Sequence, residues 1–142
     1  MRIACEFHWE MGHRIAEHPG LCKNLHGHSY RMLVSVDGDL QPSGMVMDFY
    51  DLKSVVDPIV DALDHCFLAD ERDTVMRAFF TAHPMKVVFV PFPTTAENIA
   101  QYVLNQIKTL LARMPNVHAV TVRVEETGSS FAEATTALKH AS

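Results

Sequence analysis

One stretch of this sequence decides how the chain is arranged: residues 20–30, GLCKNLHGHSY. It places the thiol of Cys22 four residues before the imidazole of His26, and a second imidazole, His28, follows two residues later. The residues that come next, 29–38, alternate as a β-strand does. Residues i and i+2 of a strand point to the same face, so both imidazoles face one way if the strand begins by His26.

A third imidazole could complete a metal site. His13 ends the preceding apolar run and could join His26 and His28. Three histidine ligands leave the fourth position of a tetrahedral zinc ion open, which is typical of a catalytic site. The alternative interpretation is that these are ordinary surface or core histidines, because a chain with nine histidines can contain a His-x-His pair by accident.

The three cysteines differ in their surroundings. Cys22, in a loop beside Lys23, is either a thiolate base or nucleophile or a small buried hydrophobe, and the loop position favours reactivity. Cys5 and Cys66 lie in apolar patterns and are interpreted as packing residues. An odd number of cysteines without an export signal favours reduced thiols and a cytoplasmic location.

The overall composition limits the possible functions. The length of 142 residues fits one domain spanning 1–142, and 48% apolar and 20% charged residues are ordinary values for a soluble globular protein. A formal net charge of −5 argues against non-specific nucleic-acid binding, which needs a basic face. The apolar runs are too short to span a bilayer, so we expect no membrane partner.

Alternating patterns predict four strands. They cover residues 2–9, 26–36, 86–90 and 117–126, and residues 11–14 are expected to end or bend the first strand. The polar, alanine-rich tail from residue 127 onward has no assignment.

Helical periodicity predicts helices over residues 48–64 and 95–113, with a short extra helix over 72–83. Asp48 is expected to cap the first helix rather than to bind a ligand. Pro58 predicts a kink near Asp57 or a helix that restarts at the proline.

Residues 94–97, TTAE, have the S/T-x-x-E form of a capping box, which gives Glu97 a structural role. The element order β-β-α-(α)-β-α-β predicts an α+β fold with the helices on one face of an antiparallel sheet.

Two further acidic groups have both a structural and a chemical interpretation. Asp64-His65 ends the first helix, where a histidine interacts well with the helix dipole, but the pair could also relay a proton. The carboxylates of Glu125-Glu126 end the last strand. They are either a solvated strand end, or one of them accepts two parallel hydrogen bonds from a heterocycle with an amidine-like edge.

Several segments, taken in order, carry a resemblance that spans about residues 5–128. They are Gly12-His13-Arg14, 22–30 (CKNLHGHSY), 44–49 (GMVMDF), 63–65 (LDH), 93–98 (PTTAEN) and 126–127 (ET). No single segment is decisive, but the ordered set is specific. The chain resembles the 6-pyruvoyl-tetrahydropterin synthase / 6-carboxy-tetrahydropterin synthase family.

The resemblance implies a fold and an assembly. Members have the tunnelling fold (T-fold), an antiparallel sheet with two main helices packed on one face. Three subunits close a barrel, so we expect a homo-oligomer, either a trimer or a dimer of trimers.

The resemblance also implies roles for the candidate residues. Zinc would be held by the three histidines, and Cys22 would be the general base. A neighbouring subunit would supply Asp64 and His65 as an acid/base dyad. Glu126 would anchor the pterin, and Glu97 would contribute to the substrate site. The zinc ligands implied are His13, His26 and His28.

The spacing within the family separates its branches. The pattern C-x3-H-G-H from Cys22 to His28 resembles the queuosine-pathway branch, which implies a pterin triphosphate substrate, 7,8-dihydroneopterin triphosphate. The implied products are 6-carboxy-5,6,7,8-tetrahydropterin, acetaldehyde and triphosphate. The alternatives are a pyruvoyl-type triphosphate lyase, a promiscuous member that acts on sepiapterin-like pterins, and a non-catalytic pterin- or zinc-binding oligomer.

Two segments depart from the family pattern. Residues 9–11, WEM, replace small residues before the first zinc histidine, and we expect them to alter the rim of the pocket. Residues 66–92 are longer than in compact bacterial members, which predicts a change at the entrance or the interface.

Overall fold

The computed structural model of the protein describes residues 1–138. Residues 139–142, the end of the tail without an assignment, lie outside the described residues. None of the helices within residues 1–138 is long and apolar enough to cross a membrane. The strands are β1 (Arg2–His13), β2 (His26–Gly38), β3 (Cys66–Asp70), β4 (Val87–Val90), β5 (Val117–Thr127) and β6 (Ser130–Ala137). The helices are α1 (Phe49–Leu63), α2 (Thr74–Ala82) and α3 (Ala96–Leu111).

The six strands form one mixed sheet in the order β4-β3-β1-β2-β5-β6. The pairs β1–β2, β2–β5 and β5–β6 are antiparallel. Strands β3 and β4 add to the β1 side in parallel orientation. The α+β class is therefore confirmed, but the expectation of a purely antiparallel sheet is wrong for the segment that contains β3 and β4.

The core lies on the helix-covered face of the sheet. Alternate residues of β2 and β5 are almost fully buried there, together with one stripe of α3. Side chains alternate between the two faces of a strand and recur about every 3.6 residues along a helix, so each element turns one apolar face inward. The central members of this core are Tyr30, Met32, Val34, Val36, Val120, Val122, Val124, Ile99, Val103 and Ile107. Cys5 and Cys66 are also buried, which confirms their interpretation as packing residues.

The opposite face of the sheet is polar. Arg31 pairs there with Glu6, and also with Glu125 at 3.3 Å. The hydroxyl of Ser29 donates to a carboxylate oxygen of Glu10 across the β1–β2 pair, at 2.8 Å. The alternation along each strand thus separates an apolar, helix-covered face from a charged one.

The departure at residues 9–11 affects the core. Trp9 is 2% exposed and Met11 is 3% exposed, so both belong to the apolar face of β1. Trp9 does not line the cavity beside His26 and His28, whereas Met11 does, so the expected change at the rim stays a prediction. Glu10, which points to the polar face, lines a surface cavity with His26 and His28.

Several element boundaries differ from the predictions. Strand β1 continues through His13 instead of ending near residue 9, because residues 10–13 keep pairing with β2. Strands β3 and β6 were not predicted. The helix predicted over residues 72–83 is confirmed as α2.

Helix α1 is continuous from Phe49 to Leu63, so the predicted restart at Pro58 is wrong. Pro58 lies on the exposed side of α1, where water can satisfy the carbonyl that lacks its helical partner. Asp48 caps this helix as predicted, because its carboxylate accepts from the backbone N–H of Tyr50 at 2.8 Å.

The predicted capping box at residues 94–97 does not form. Thr95, not Thr94, is the N-cap of α3, and its hydroxyl accepts from the backbone N–H of Asn98 at 3.4 Å. The hydroxyl of Thr94 instead donates to the carbonyl of Arg14 at 3.1 Å. Because the Thr94 hydroxyl is already hydrogen-bonded, Thr95 caps the helix and α3 begins one residue later than predicted. Glu97 is then only two residues after the N-cap, and a capping box needs it three residues after.

Candidate functional site

The pairing of β1 with β2 brings three histidines together. His13 lies directly opposite His26 in the antiparallel register, and Met11 lies opposite His28. Directly opposite residues share a face, and so do residues i and i+2, so all three imidazoles point to the helix-covered face. Their nearest ring nitrogens all lie within 4.8 Å of one another.

The imidazole of His13 is fixed by a backbone carbonyl. Its Nδ1 donates to the carbonyl oxygen of Thr94 at 2.7 Å, and the side chain is 1% exposed. The proton therefore sits on Nδ1, and Nε2 presents a lone pair. Burial lowers the pKa of His13 to about 4, so the ring is neutral at pH 7.

The Nε2 atom of His13 is buried and has no hydrogen-bond partner among residues 1–138. A buried polar atom without a partner is costly, and native structures usually satisfy it with a protein group, water or an ion. His26 has the same arrangement as His13, because its Nδ1 donates to the carbonyl of Asn24 at 2.8 Å. Two of the three rings thus present Nε2 as an acceptor, which is the form that a metal ion needs.

The donor set fits a transition-metal ion. Three neutral imidazoles suit zinc, and they also suit iron, nickel and copper. Among the described residues no cysteine or carboxylate joins the group whose ligand atoms lie within 4.8 Å of one another. The expected metal ligands are therefore brought together by the fold, and Cys22 lies outside the ligand group.

Glu126 lies beside the histidines. Its Oε1 is 3.8 Å from Nε2 of His13, and its Oε2 is 3.9 Å from Nε2 of His28. The side chain is 25% exposed and sits where the β5–β6 register shifts, between Glu125 and Thr127. Bulges of this kind often direct a side chain toward an active site.

Cys22 sits in a 3-10 turn, Leu21–Lys23, at the entrance to β2. The carbonyl of Cys22 accepts from the backbone N–H of Ile15 at 2.8 Å, which ties the loop to the end of β1. The residue is half-buried, so its thiol keeps a path to solvent. A half-buried thiol in a loop matches the reactive interpretation better than the packing one.

The side chains of Asp64 and His65 contact each other at the end of α1. The Nδ1 of His65 lies 2.8 Å from Oδ2 of Asp64, and Oδ1 accepts from the backbone N–H of Glu10 at 2.9 Å. Two hydrogen bonds lower the pKa of Asp64. The larger effect comes from the backbone N–H of Glu10, and the smaller one comes from the imidazole of His65. His65 holds a left-handed backbone conformation with φ of 56°, which is uncommon for a residue other than glycine.

The dyad is formed, but within one chain it does not join the three-histidine group. The His65 side chain is 76% exposed. It lines a cavity of about 480 Å³ together with His26, His28 and Glu10. The Asp64–His65 pair therefore lies at the surface, and His65 faces a cavity that His26 and His28 also line.

Glu97 is exposed in the first turn of α3. Its carboxylate makes no hydrogen bond or ion pair with a described residue. A larger cavity, about 610 Å³, lies around Arg14 and Asp73 and contains none of the candidate site residues.

Sequence reasoning missed three contributors to this site. The carbonyls of Thr94 and Asn24 orient two imidazoles, and backbone acceptors leave no signal in a sequence. The hydroxyl of Tyr30 donates to Glu126 at 3.3 Å. Its place at i+2 from His28 was a signal, because that spacing puts it on the same strand face.

Fold and site together define an α+β protein in which three histidines are grouped as metal ligands would be, with the carboxylate of Glu126 beside them. A family model for 6-pyruvoyl tetrahydropterin synthase matches residues 2–137. The chain therefore belongs to the 6-pyruvoyl tetrahydropterin synthase family.

Two bacterial relatives cover almost the whole chain. The 6-carboxy-5,6,7,8-tetrahydropterin synthase of Haemophilus influenzae is 39% identical over 140 residues, covering 93% of this chain and 96% of the relative. The protein of the same name from Aquifex aeolicus is 32% identical over 154 residues, covering 92% and 95%.

Solved structures share the fold. The 6-pyruvoyl tetrahydropterin synthase of Plasmodium vivax has a TM-score of 0.79 at 23% identity, covering 96% of this chain and 98% of that one. An uncharacterised protein from Wolinella succinogenes has a TM-score of 0.79 at 25% identity, covering 94% and 97%. The T-fold predicted from the resemblance is thereby confirmed.

Proposed function

We propose that the protein is a zinc-dependent 6-carboxy-5,6,7,8-tetrahydropterin synthase. It converts 7,8-dihydroneopterin triphosphate and one water molecule to 6-carboxy-5,6,7,8-tetrahydropterin, acetaldehyde and triphosphate. The observation that carries the proposal is the group of three imidazoles whose ligand nitrogens lie within 4.8 Å of one another. The names of the relatives from Haemophilus influenzae and Aquifex aeolicus support the choice of reaction.

The metal ligands in this proposal are His13, His26 and His28. Bound zinc supplies Lewis-acid chemistry, which lowers the pKa of the substrate's side-chain hydroxyls and orients that side chain. The carbonyls of Thr94 and Asn24 keep His13 and His26 in the tautomer that binds metal through Nε2.

Cys22 is the general base. As a thiolate it takes a proton from the substrate side chain, and its half-buried loop position keeps the sulfur accessible. Asp64 and His65 handle the second proton. Because Asp64 accepts from Nδ1 of His65, Nε2 is the atom that exchanges a proton with the substrate.

Glu126 anchors the pterin. A carboxylate accepts two parallel hydrogen bonds from the amino-pyrimidine edge, and its place beside the histidines holds the ring next to the metal. Glu97 contributes to the same substrate site. For the triphosphate, Lys23 is a better candidate than Arg14, because the Arg14 guanidinium is already paired with Asp73 through two hydrogen bonds.

The working enzyme is a homo-oligomer, a trimer or a dimer of trimers. Asp64 and His65 are exposed and stand apart from the ligand group of their own chain, which favours their use by a neighbouring subunit. Residues 1–142 act as one domain in the cytoplasm, and the product enters queuosine synthesis.

A second candidate function is the pyruvoyl-type elimination of triphosphate. The same metal centre and base could perform it, and the family model carries that name. The short spacing between Cys22 and His26 favours the carboxy-synthase reaction. A binder without activity has no need of the thiol.

Replacing the base tests the proposal. Cys22→Ala should lower the turnover number by about 10²- to 10⁴-fold, the range that a positioned general base contributes. The variant should still bind one zinc per chain, because the thiol is not a ligand. Cys5→Ala, which removes a buried thiol from the core, is the matched control and should keep its activity. Turnover of Cys22→Ala at the wild-type rate would contradict the assigned role.

A further inference from the structure

Tyr30 connects the proposed pterin anchor to the core. It follows His26 and His28 on the same face of β2, at i+4 and i+2, and is 1% exposed. Its hydroxyl donates to Oε1 of Glu126 at 3.3 Å. The contact therefore joins a buried, immobile ring to a carboxylate whose side chain is 25% exposed.

The ring of Tyr30 is held on two sides. The indole of Trp9 stacks on it with the ring centroids 5.1 Å apart and an angle of 5° between the planes. The imidazole of His28 meets it edge-on at 5.4 Å and 78°. Close packing on two sides restricts the movement of the ring. The Tyr30 hydroxyl is therefore a well-positioned hydrogen-bond donor for Glu126.

The direction of this hydrogen bond follows from the two groups. An ionised carboxylate can only accept, so the phenol of Tyr30 supplies the proton to Glu126. The indole Nε1 of Trp9 is buried without a hydrogen-bond partner among the described residues, so Trp9 serves here through its ring.

We propose that Tyr30 is a positioning residue that fixes the carboxylate of Glu126 for the amino-pyrimidine edge of the pterin, with Trp9 bracing its ring. The proposal rests on the assigned role of Glu126 as the pterin anchor. Glu126 lies at a register shift between β5 and β6. The backbone hydrogen bonds between strands are disrupted at such a shift, so they restrain the side chain less. The donated hydrogen bond replaces that missing restraint.

The test uses the zinc-loaded full chain and 2-amino-4-oxopteridine, a pterin without the side chain that reacts. Tyr30→Phe keeps the ring and its stack, so only the hydroxyl is lost. Its dissociation constant for this pterin, measured by calorimetry, should rise about 10-fold, as expected for a hydrogen bond to a charged group. Zinc affinity should be unchanged, and in turnover KM should rise more than kcat falls. Tyr102→Phe, on α3, is the matched control and should bind the pterin like the wild type.

Two Glu126 variants separate this inference from the proposed function. Glu126→Asp draws the carboxylate back by one methylene and should itself weaken binding. Adding Tyr30→Phe to it should then change the dissociation constant by less than about twofold, since the contact is already broken. An equal loss in both backgrounds, or none in the single variant, would overturn the positioning role. Glu126→Gln that binds the pterin like the wild type would overturn the anchor, and with it the function assigned to Glu126.

Discussion

At the scale of single residues, two backbone carbonyls decide which nitrogen the histidines offer. The carbonyls of Thr94 and Asn24 each accept from an Nδ1 atom, which leaves Nε2 of His13 and His26 for a ligand. Orientation of this kind typically changes metal affinity by 10- to 100-fold when it is lost. The site is therefore prepared by the loops that supply these two carbonyls as much as by the three side chains.

Removal of one imidazole should remove the metal effect on stability. Zinc at about 100 times its dissociation constant should add about 2.7 kcal/mol to the free energy of unfolding of the wild type, because it binds the native state. In His26→Ala the zinc affinity should fall by at least about 100-fold, more than the loss of an orienting partner costs. Denaturant unfolding with zinc and with a chelator measures both effects.

The matched control for this experiment is His8→Ala. His8 is an exposed histidine on the polar face of β1, 2.7 Å from Glu6, and lies outside the ligand group. It should keep the whole zinc effect. Equal stabilisation of the wild type and His26→Ala by zinc would contradict the three-histidine centre.

The sequence was enough to find the histidines but not to establish their geometry. The i, i+2 rule predicted that His26 and His28 share a face, and the register of β1 with β2 confirms it. The position of His13 depended on β1 continuing through residue 13, which the sequence pattern did not predict. The Tyr30–Glu126 contact spans 96 residues, and no local pattern encodes it.

At the scale of elements, an ion pair fastens the segment 66–92 to the site. Arg14 donates to both carboxylate oxygens of Asp73, at 2.6 and 2.8 Å. Asp73 is also the N-cap of α2, and Arg14 follows His13 directly. The pair therefore links the end of β1 to the helix of the longer segment.

Asp73→Asn tests this link, since asparagine is as good a helix cap as aspartate. The free energy of unfolding should fall by about 2 kcal/mol, less than for a fully buried pair because Arg14 keeps some solvent contact. Asp70→Asn, which breaks the more exposed pair with Arg72, is the control and should cost less than about 1 kcal/mol. If urea unfolding shows that Asp73→Asn and Asp70→Asn lose the same free energy of unfolding, the Arg14–Asp73 pair stabilises the fold no more than the exposed pair does.

The same pair predicts a pH dependence. The hydrogen bonds from Arg14 hold the pKa of Asp73 below its ordinary value, against the opposing effect of burial. A depressed pKa means that the stabilisation is present above the ordinary carboxyl pKa of about 3.9 and is lost as the pH falls. The stability difference between wild type and Asp73→Asn should therefore shrink as the pH is lowered from about 5 to about 3.

The elements that the sequence did not reveal have physical reasons for being missed. Strand β3 is five residues long and follows α1 after two residues, so its apolar run resembled the end of the helix. Strand β6, SFAEATTA, has only one large apolar side chain, Phe131, and its strand state depends on pairing with β5. The long amphipathic helices, by contrast, follow from periodicity alone.

At the scale of the whole molecule, the proposed assembly predicts that each active site combines residues of two subunits. If each active site takes its dyad from a neighbour, Cys22→Ala and His65→Ala subunits should restore each other when they are mixed in one oligomer. Once the unmixed oligomers are removed, randomly mixed trimers should return about a third of wild-type activity and dimers of trimers about a quarter, because closed rings place each site between two subunits. Co-expression with two different tags and purification through both provides the mixed oligomer.

Each parent variant, purified alone, is the control and should be nearly inactive. Mixed oligomers that stay as inactive as the parents would show that Cys22 acts with the dyad of its own chain.

The most direct test of the proposed function is an analysis of the products that the zinc-loaded protein forms from 7,8-dihydroneopterin triphosphate. We predict that acetaldehyde and triphosphate appear in equal amounts, together with 6-carboxy-5,6,7,8-tetrahydropterin. A chelator should stop the formation of all three products. Triphosphate released without acetaldehyde would instead identify a pyruvoyl-type lyase. Neither product from a fully metallated protein would contradict the catalytic account.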